Sequence, residues 1–354
     1  IYLLSLLTTL TGAVFGFIFI ARSKINFAFA AAILIGFAAW GIVSNHQNKG
    51  SPSALVQDEN TTTIRIVQPN IAQHEKWDRN KMRDHFEKLL TMSKPQGNES
   101  STTLIIWPET ATSYGFLNNA AARDMITETL RTYNGKAYLI TGALLREDDG
   151  SGISNSIITI DQNGGIIQRY DKSHLVPFGE YIPFHKWIPF ETITQFSGFL
   201  KGDGPTALPL PDGFSFSPLI CYEVIFPGHV TNPDTQPNVI INVTNDGWYG
   251  DSAGPYQHFA MARMRAIEEN LPLIRAANTG ISGLISNTGR IKNIADLGDE
   301  AVIMTTLGQN NNQTNEITQS HFQHSIVLWL IAILIIYSIF GKWIYCKYRK
   351  QLLK

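Results

Sequence analysis

Short alternating runs of apolar and polar residues fill the middle of the chain, and long continuous apolar runs occupy its ends. In the middle, the runs at 64–68, 104–107, 138–141, 156–160, 166–170, 214–220, 239–243, 273–276, 281–286 and 301–305 predict strands. Asp161-Gln-Asn-Gly-Gly between two of them predicts a hairpin turn. Trp77, Met82, Phe86, Leu89 and Leu90 recur at helical spacing and predict a helix over 77–92. Further helices are expected over 120–133 and over 255–270, where Pro255 suits the first turn. Strands alternating with helices, with hairpins among them, predict a mixed α/β sandwich. No internal repeat and no Gly-rich phosphate loop interrupts this pattern.

The end runs have a different length. Residues 1–20 and 25–43 carry no charged side chain, and 325–345 carries only Lys342. Each matches the roughly 20 residues that a helix needs to cross about 30 Å of hydrocarbon. Two adjacent runs, with no small-residue cleavage site after the first, argue for membrane spans over a signal peptide. Arg22 and Lys24 lie between the first two runs; Lys347, Arg349, Lys350 and Lys354 follow the last. The positive-inside rule puts both clusters in the cytoplasm and the residues between on the opposite side, which in a bacterium is the periplasm. The expected organisation is two spans in 1–44, a polar linker at 45–62, a catalytic domain at 63–308, a linker at 309–324, a span at 325–345 and a basic cytoplasmic tail at 346–354. The chain opens on Ile1, and the expectation is that further membrane helices precede it, so that 1–44 is the remnant of a larger bundle.

A net charge of −1 carries no footprint for nucleic acid. The two cysteines, Cys221 and Cys346, fall on opposite sides of the membrane in this topology and cannot pair. Cys221 is then a free thiol in an oxidising compartment, a liability unless it is used.

Three predicted strands end on reactive groups: 103–108 runs into Glu109, 166–171 into Lys172, and 214–220 into Cys221. Each has an ordinary alternative, namely a carboxylate at a helix start, a surface lysine and a buried inert thiol. Together they suit covalent catalysis: the ammonium favours thiolate and oxyanion, and the carboxylate moves the proton. The histidines are scattered and form no metal-ligating cluster, so neither a metal nor a cofactor is expected. Residues 178–200 are rich in aromatics, including Phe178, Tyr181, Phe184 and Trp187, and are interrupted by prolines. They read as a lid or membrane-interface loop, with core packing as the alternative.

Trp107-Pro-Glu-Thr, Tyr170-Asp-Lys-Ser-His-Leu-Val-Pro-Phe-Gly-Glu-Tyr and Ile220-Cys-Tyr-Glu resemble the Glu, Lys and Cys motifs of the carbon–nitrogen hydrolase (nitrilase) superfamily. Gln68-Pro-Asn-Ile, Lys76-Trp-Asp, Asn245-Asp-Gly-Trp-Tyr-Gly and Gln257-His-Phe-Ala narrow the resemblance to its bacterial apolipoprotein N-acyltransferase branch. The resemblance implies a nitrilase-like αββα sandwich flanked by transmembrane helices, in the bacterial inner membrane. It implies transfer of an acyl chain from a phospholipid, such as phosphatidylethanolamine, through a Cys thioester to the α-amino group of a diacylglyceryl-cysteine apolipoprotein. It assigns Glu109 as base, Lys172 as oxyanion stabiliser and Cys221 as nucleophile. Glu180, Tyr222, Glu223, Trp77 and Trp248 match supporting positions. The expected state is a monomer with lipid bilayer, phospholipid and apolipoprotein as partners. A membrane-tethered amidase that hydrolyses its substrate is the alternative that the three reactive groups leave open.

Overall fold

The chain divides into two compact units, Gln47–Asn310 and the pair Ile1–His46 with Asn311–Lys354. The computed structural model describes residues 61–97, 101–111, 119–147, 149–183, 198–235 and 237–308, with a few isolated positions before residue 40. The expected membrane spans (those isolated positions aside), the tail and the linkers lie outside the described residues, except Thr61 and Thr62, which open the first strand; Phe184 and Trp187 also lie outside. Among the described residues no helix is long and apolar enough to cross a membrane.

Twelve strands form two six-stranded sheets. The first contains β1 (Thr61–Gln68), β2 (Thr103–Ile106), β3 (Ala137–Arg146), β4 (Ile153–Ile160), β5 (Ile166–Asp171) and β12 (Ala301–Gly308), in the order β12-β1-β2-β3-β4-β5. The second contains β6 (Leu208–Pro209), β7 (Ser215–Ile220), β8 (Val239–Thr244), β9 (Leu273–Ala277), β10 (Ser282–Ile285) and β11 (Ile291–Ala295), in the order β11-β10-β9-β8-β7-β6. Helices α1 (Met82–Met92) and α2 (Ala120–Arg131) belong with the first sheet, and α3 (Gly254–Glu268) with the second.

The two-residue period of the strands sorts the core into layers. Ile64, Ile66, Leu104, Ile106 and Ile140 meet Phe216, Ile220, Ile241, Val243 and Ile274 between the sheets. Their neighbours Val67, Ile105, Trp107 and Leu139 face outward against Leu89 and Leu90 of α1 and Ile126 and Leu130 of α2. On the far side Leu219, Ile240 and Leu273 meet Phe259, Ala262 and Ala266 of α3. The result is a helix–sheet–sheet–helix sandwich, as expected. Strands buried on both faces read as nearly continuous apolar runs, and each large side chain enclosed this way contributes roughly 1.5–3 kcal/mol.

Several elements differ from expectation: Leu208-Pro, expected as a turn, is the short strand β6, and β1, β4 and β12 run three residues longer than expected. The first helix starts at Met82, because residues 73–77 form turns in place of helix. Strand β3 runs to Arg146, five residues past its expected end at 141, because β4 pairs with it along its length and keeps it buried. Strand β11 went unrecognised: four of its five residues are exposed at the sheet edge, and Ile291 and Ile294 stand three apart rather than in the two-residue alternation of a half-buried strand.

The strand directions locate the site. β1, β2 and β3 are mutually parallel, as are β7, β8 and β9. In the first sheet β4 runs antiparallel between β3 and β5, so β5 ends at the same edge as β2. Glu109 and Lys172 therefore follow strand ends on one edge of one sheet, while Cys221 and Asn245 follow adjacent strand ends in the other.

Candidate active site

Cys221 directly follows β7 and opens a short 3-10 turn over Cys221–Ile225. Its φ is +48°, in the left-handed region that costs a non-glycine residue about 1 kcal/mol or more. Two buried groups hold this strained turn. Glu223 Oε2 accepts from the Ile220 backbone N–H at 2.8 Å. Its Oε1 accepts from Tyr170 Oη (2.7 Å), the Ser173 N–H (2.7 Å) and Ser173 Oγ (2.8 Å). One carboxylate thus ties the Cys221 turn to the Lys172 loop. Behind Cys221, His258 Nε2 lies 3.1 Å from its carbonyl oxygen and His258 Nδ1 lies 2.8 Å from Asp246 Oδ1. Arg275 Nη2 donates to Asp246 Oδ2 at 2.8 Å. Burial opposes the charge on Asp246, but Arg275 and His258 outweigh it and hold the pKa at about 2. Burial and the Arg275 guanidinium push the His258 pKa below its ordinary value.

Glu109 is buried just past β2. Its Oε1 accepts from Asn155 Nδ2 at 2.8 Å, and its Oε2 from the Asn245 N–H at 3.0 Å. The loop that carries it lies against Gly142 of β3, where the Gly142 N–H donates to the Pro108 carbonyl at 3.2 Å and Ala111 N–H donates to the Gly142 carbonyl at 3.0 Å. A Cβ at Gly142 would stand 2.5 Å from Glu109 Cα, so only glycine admits this approach.

Lys172 is 1% exposed. Its Nζ donates to Glu180 Oε1 at 2.8 Å and stands 3.6 Å from Glu109 Oε1. Burial disfavours its charge, but Glu109, the Cys221 sulfur and Glu180 outweigh that and hold the ammonium above the usual lysine range. Glu180 is fixed in turn by Asn155 Nδ2 at 3.3 Å and the Val176 N–H at 2.8 Å. Burial pushes the Cys221 thiol up to about 12; the Glu109 charge adds to this, while Lys172 and the Thr244 hydroxyl pull it back. At rest Cys221 is a neutral thiol, and the carboxylate of Glu109 is a group to which its proton could pass.

The structure thus brings Glu109, Lys172, Glu180 and Cys221 into one electrostatically coupled cluster. Glu223 lies beneath it as a tie between loops. Tyr222 stands edge-on to Phe226 with ring centroids 5.0 Å apart. Trp77, Trp248, Phe178 and Tyr181 are exposed, Phe178 by 79% and Trp248 by 73%. Asn155, His258, Asp246 and Arg275 were not singled out from the sequence as site residues. The motifs Asn245-Asp-Gly and Gln257-His-Phe contained two of them, but their pairing spans three separate elements. Among the described residues no group of three or more His, Cys, Asp or Glu side chains is placed to hold a metal ion.

Comparison with known proteins identifies the family of the chain. The sequence is 42% identical over 282 residues to the apolipoprotein N-acyltransferase of Brucella suis, covering 77% of this chain and 51% of that protein. It is 39% identical over 289 residues to that of Agrobacterium fabrum, covering 78% of this chain and 53% of that protein. The chain therefore spans about half the length of the curated relatives it matches. Among solved structures, a CN-hydrolase superfamily protein of Xanthomonas campestris aligns with a TM-score of 0.51 at 21% identity, covering 70% of this chain and 91% of that one. A carbon-nitrogen hydrolase of Helicobacter pylori aligns with a TM-score of 0.52 at 14% identity, covering 70% and 89%. These two likenesses speak to the fold alone. Residues 63–314 match the carbon-nitrogen hydrolase family model, and with its two-sheet sandwich the chain belongs to the carbon–nitrogen hydrolase family.

Proposed function

We propose that this chain is the catalytic part of an apolipoprotein N-acyltransferase of a bacterial inner membrane, with its sandwich domain on the periplasmic side. The observation that carries the reading is the 42% identity over 282 residues to proteins of that name. The buried carboxylate, ammonium and thiol supply chemistry suited to it.

In this reading Cys221 Sγ attacks an ester carbonyl of a phospholipid, and a sulfur–carbon bond forms as the thiol proton passes to Glu109. The oxyanion is stabilised by the Lys172 ammonium and by the backbone N–H that follows the nucleophile. Collapse breaks the carbon–oxygen bond to glycerol; Glu109 returns the proton to that oxygen, and a lysophospholipid leaves. The α-amino group of a diacylglyceryl-cysteine then attacks the thioester. Glu109 takes its proton, an amide forms, and the Cys221 thiolate departs and is reprotonated. Glu180 holds Lys172 in place throughout.

Intact mass of the full-length protein incubated with phosphatidylethanolamine tests this. The expected result is a hydroxylamine-labile acyl adduct on Cys221, absent in Cys221→Ser and discharged by a diacylglyceryl-cysteine peptide. Release of free fatty acid with no transfer to the peptide would refute the transferase and favour the amidase.

A further inference from the structure

A second lysine, used by none of the steps above, reaches the same cluster. Lys76 lies in the turns between β1 and α1, and its Nζ donates to the backbone carbonyl of Glu109 at 3.0 Å. The loop that carries it is built into the site. Asn278 Nδ2 donates to the Ile71 carbonyl at 2.8 Å and Asn278 Oδ1 accepts from the Ile71 N–H at 3.1 Å. Asn245 Nδ2 donates to Gln73 Oε1 at 2.8 Å, and the Asn245 N–H is itself a ligand of the Glu109 carboxylate. The stem of Lys76 is partly exposed, while its ammonium is enclosed and feels the charge of Glu109 and, once ionised, of Cys221.

Charge balance gives this placement its meaning. Glu109 and Glu180 bring two negative charges and Lys172 brings one positive. Transfer of the thiol proton to Glu109 leaves that sum unchanged, and so does formation of the oxyanion. Without another cation every state of the reaction carries a net negative charge beside the sulfur, which opposes the thiolate and the oxyanion alike. On its own loop, Glu75 is paired with Lys81, and His74 is largely exposed. Among the described residues, Arg275 and His258 behind Cys221 are engaged with Asp246, and Lys76 is a further positive charge facing the cluster.

We propose that Lys76 is a positioning residue of this site: it seats the Glu109 loop through the Glu109 carbonyl and supplies the second positive charge that balances the thiolate and oxyanion. The inference rests on Cys221 and Glu109 acting as nucleophile and base. Burial lowers the Lys76 pKa to about 8, with Glu109 and Cys221 opposing the fall. The second charge is therefore present at neutral pH and lost as pH rises past that value.

Alkylation of Cys221 by iodoacetamide, mapped by mass in the full-length protein, tests this without acyl donor or acceptor. At pH 7, Lys76→Met is expected to react about tenfold slower than wild type, the equivalent of roughly one pKa unit at the thiol, and Lys76→Arg within about threefold of it. In wild type the rise of rate with pH should flatten near pH 8 as Lys76 discharges; in Lys76→Arg, which stays charged, that break should vanish. Thermal unfolding of each variant separates loss of charge from loss of fold. Folded Lys76→Met with the wild-type rate and the wild-type break would overturn the inference while leaving the acyl-transfer reading intact. A wild-type Cys221 that reacts with neither reagent nor phospholipid would overturn both.

Discussion

Gly142→Ala adds one methyl group at the back of the Glu109 loop and removes no functional atom. An ideal Cβ there meets Glu109 Cα at 2.5 Å, Thr110 N at 2.6 Å and the Pro108 carbonyl oxygen at 2.7 Å. Unbonded carbon atoms rest at about 3.5–4.0 Å. All three obstacles are backbone, so no side chain can swing aside, and the loop must retreat by about 1 Å. Overpacking of this kind typically costs about 1–3 kcal/mol of stability. The larger effect falls on the chemistry. The Glu109 carboxylate is positioned by Asn155 at 2.8 Å and the Asn245 N–H at 3.0 Å, and a shift of that size breaks or lengthens both. Misplacement by about 1 Å can lower a rate by about 10²-fold. The assay is the rate of Cys221 acylation by phospholipid, followed by intact mass at a temperature where circular dichroism shows the variant folded. Acylation within threefold of wild type in a fully folded Gly142→Ala would refute the claim that this glycine is needed to seat Glu109, the proposed base.

Two further perturbations probe the surroundings. Asp246 is held at about pKa 2 against its usual 3.8, so its ionised form stabilises the fold above about pH 4 by about 2 kcal/mol, and that contribution is lost as pH falls toward 2. Asp246→Asn should be less stable at pH 7 and should lose that part of the acid-denaturation slope; an unchanged slope in urea titrations at pH 2 to 5 would contradict the assignment. Phe178 and Trp248 are 79% and 73% exposed, and their joint replacement by Ser should slow acylation from phospholipid vesicles about tenfold or more while sparing a soluble short-chain thioester. Equal losses on both donors would show that these rings do not meet lipid.

The sandwich could be read from the chain because its strands are short, apolar and bounded by turns, and because three of them end on Glu109, Lys172 and Cys221. Periodicity reports burial, so it found what is buried and apolar and missed what is exposed or polar. Strand β11 escaped because Ile291, Lys292, Asn293 and Ile294 lie exposed on an edge. The His258–Asp246–Arg275 cluster escaped for the opposite reason. It is polar and wholly buried, its members come from the turn after β8, from α3 and from β9, and only the fold brings them together. Asn155, which donates to both Glu109 and Glu180, is one amide among serines in β4 and carries no signal of its own. Lys76 was visible only as part of a motif, because a contact to a backbone carbonyl leaves no trace in residue type.

The burial of Cys221 also bears on its survival between turnovers. Peroxide and disulfide reagents attack thiolates, and the ladder from sulfenic to sulfonic acid begins there. A thiol only 9% exposed, held neutral with a pKa near 12, presents almost no thiolate to such oxidants. In the proposed mechanism the thiolate forms only when a carbonyl is already in place and Glu109 can take the proton. The same enclosure that makes the sulfur a poor free nucleophile therefore protects it, so that an unpaired cysteine could persist in the oxidising compartment proposed for this domain.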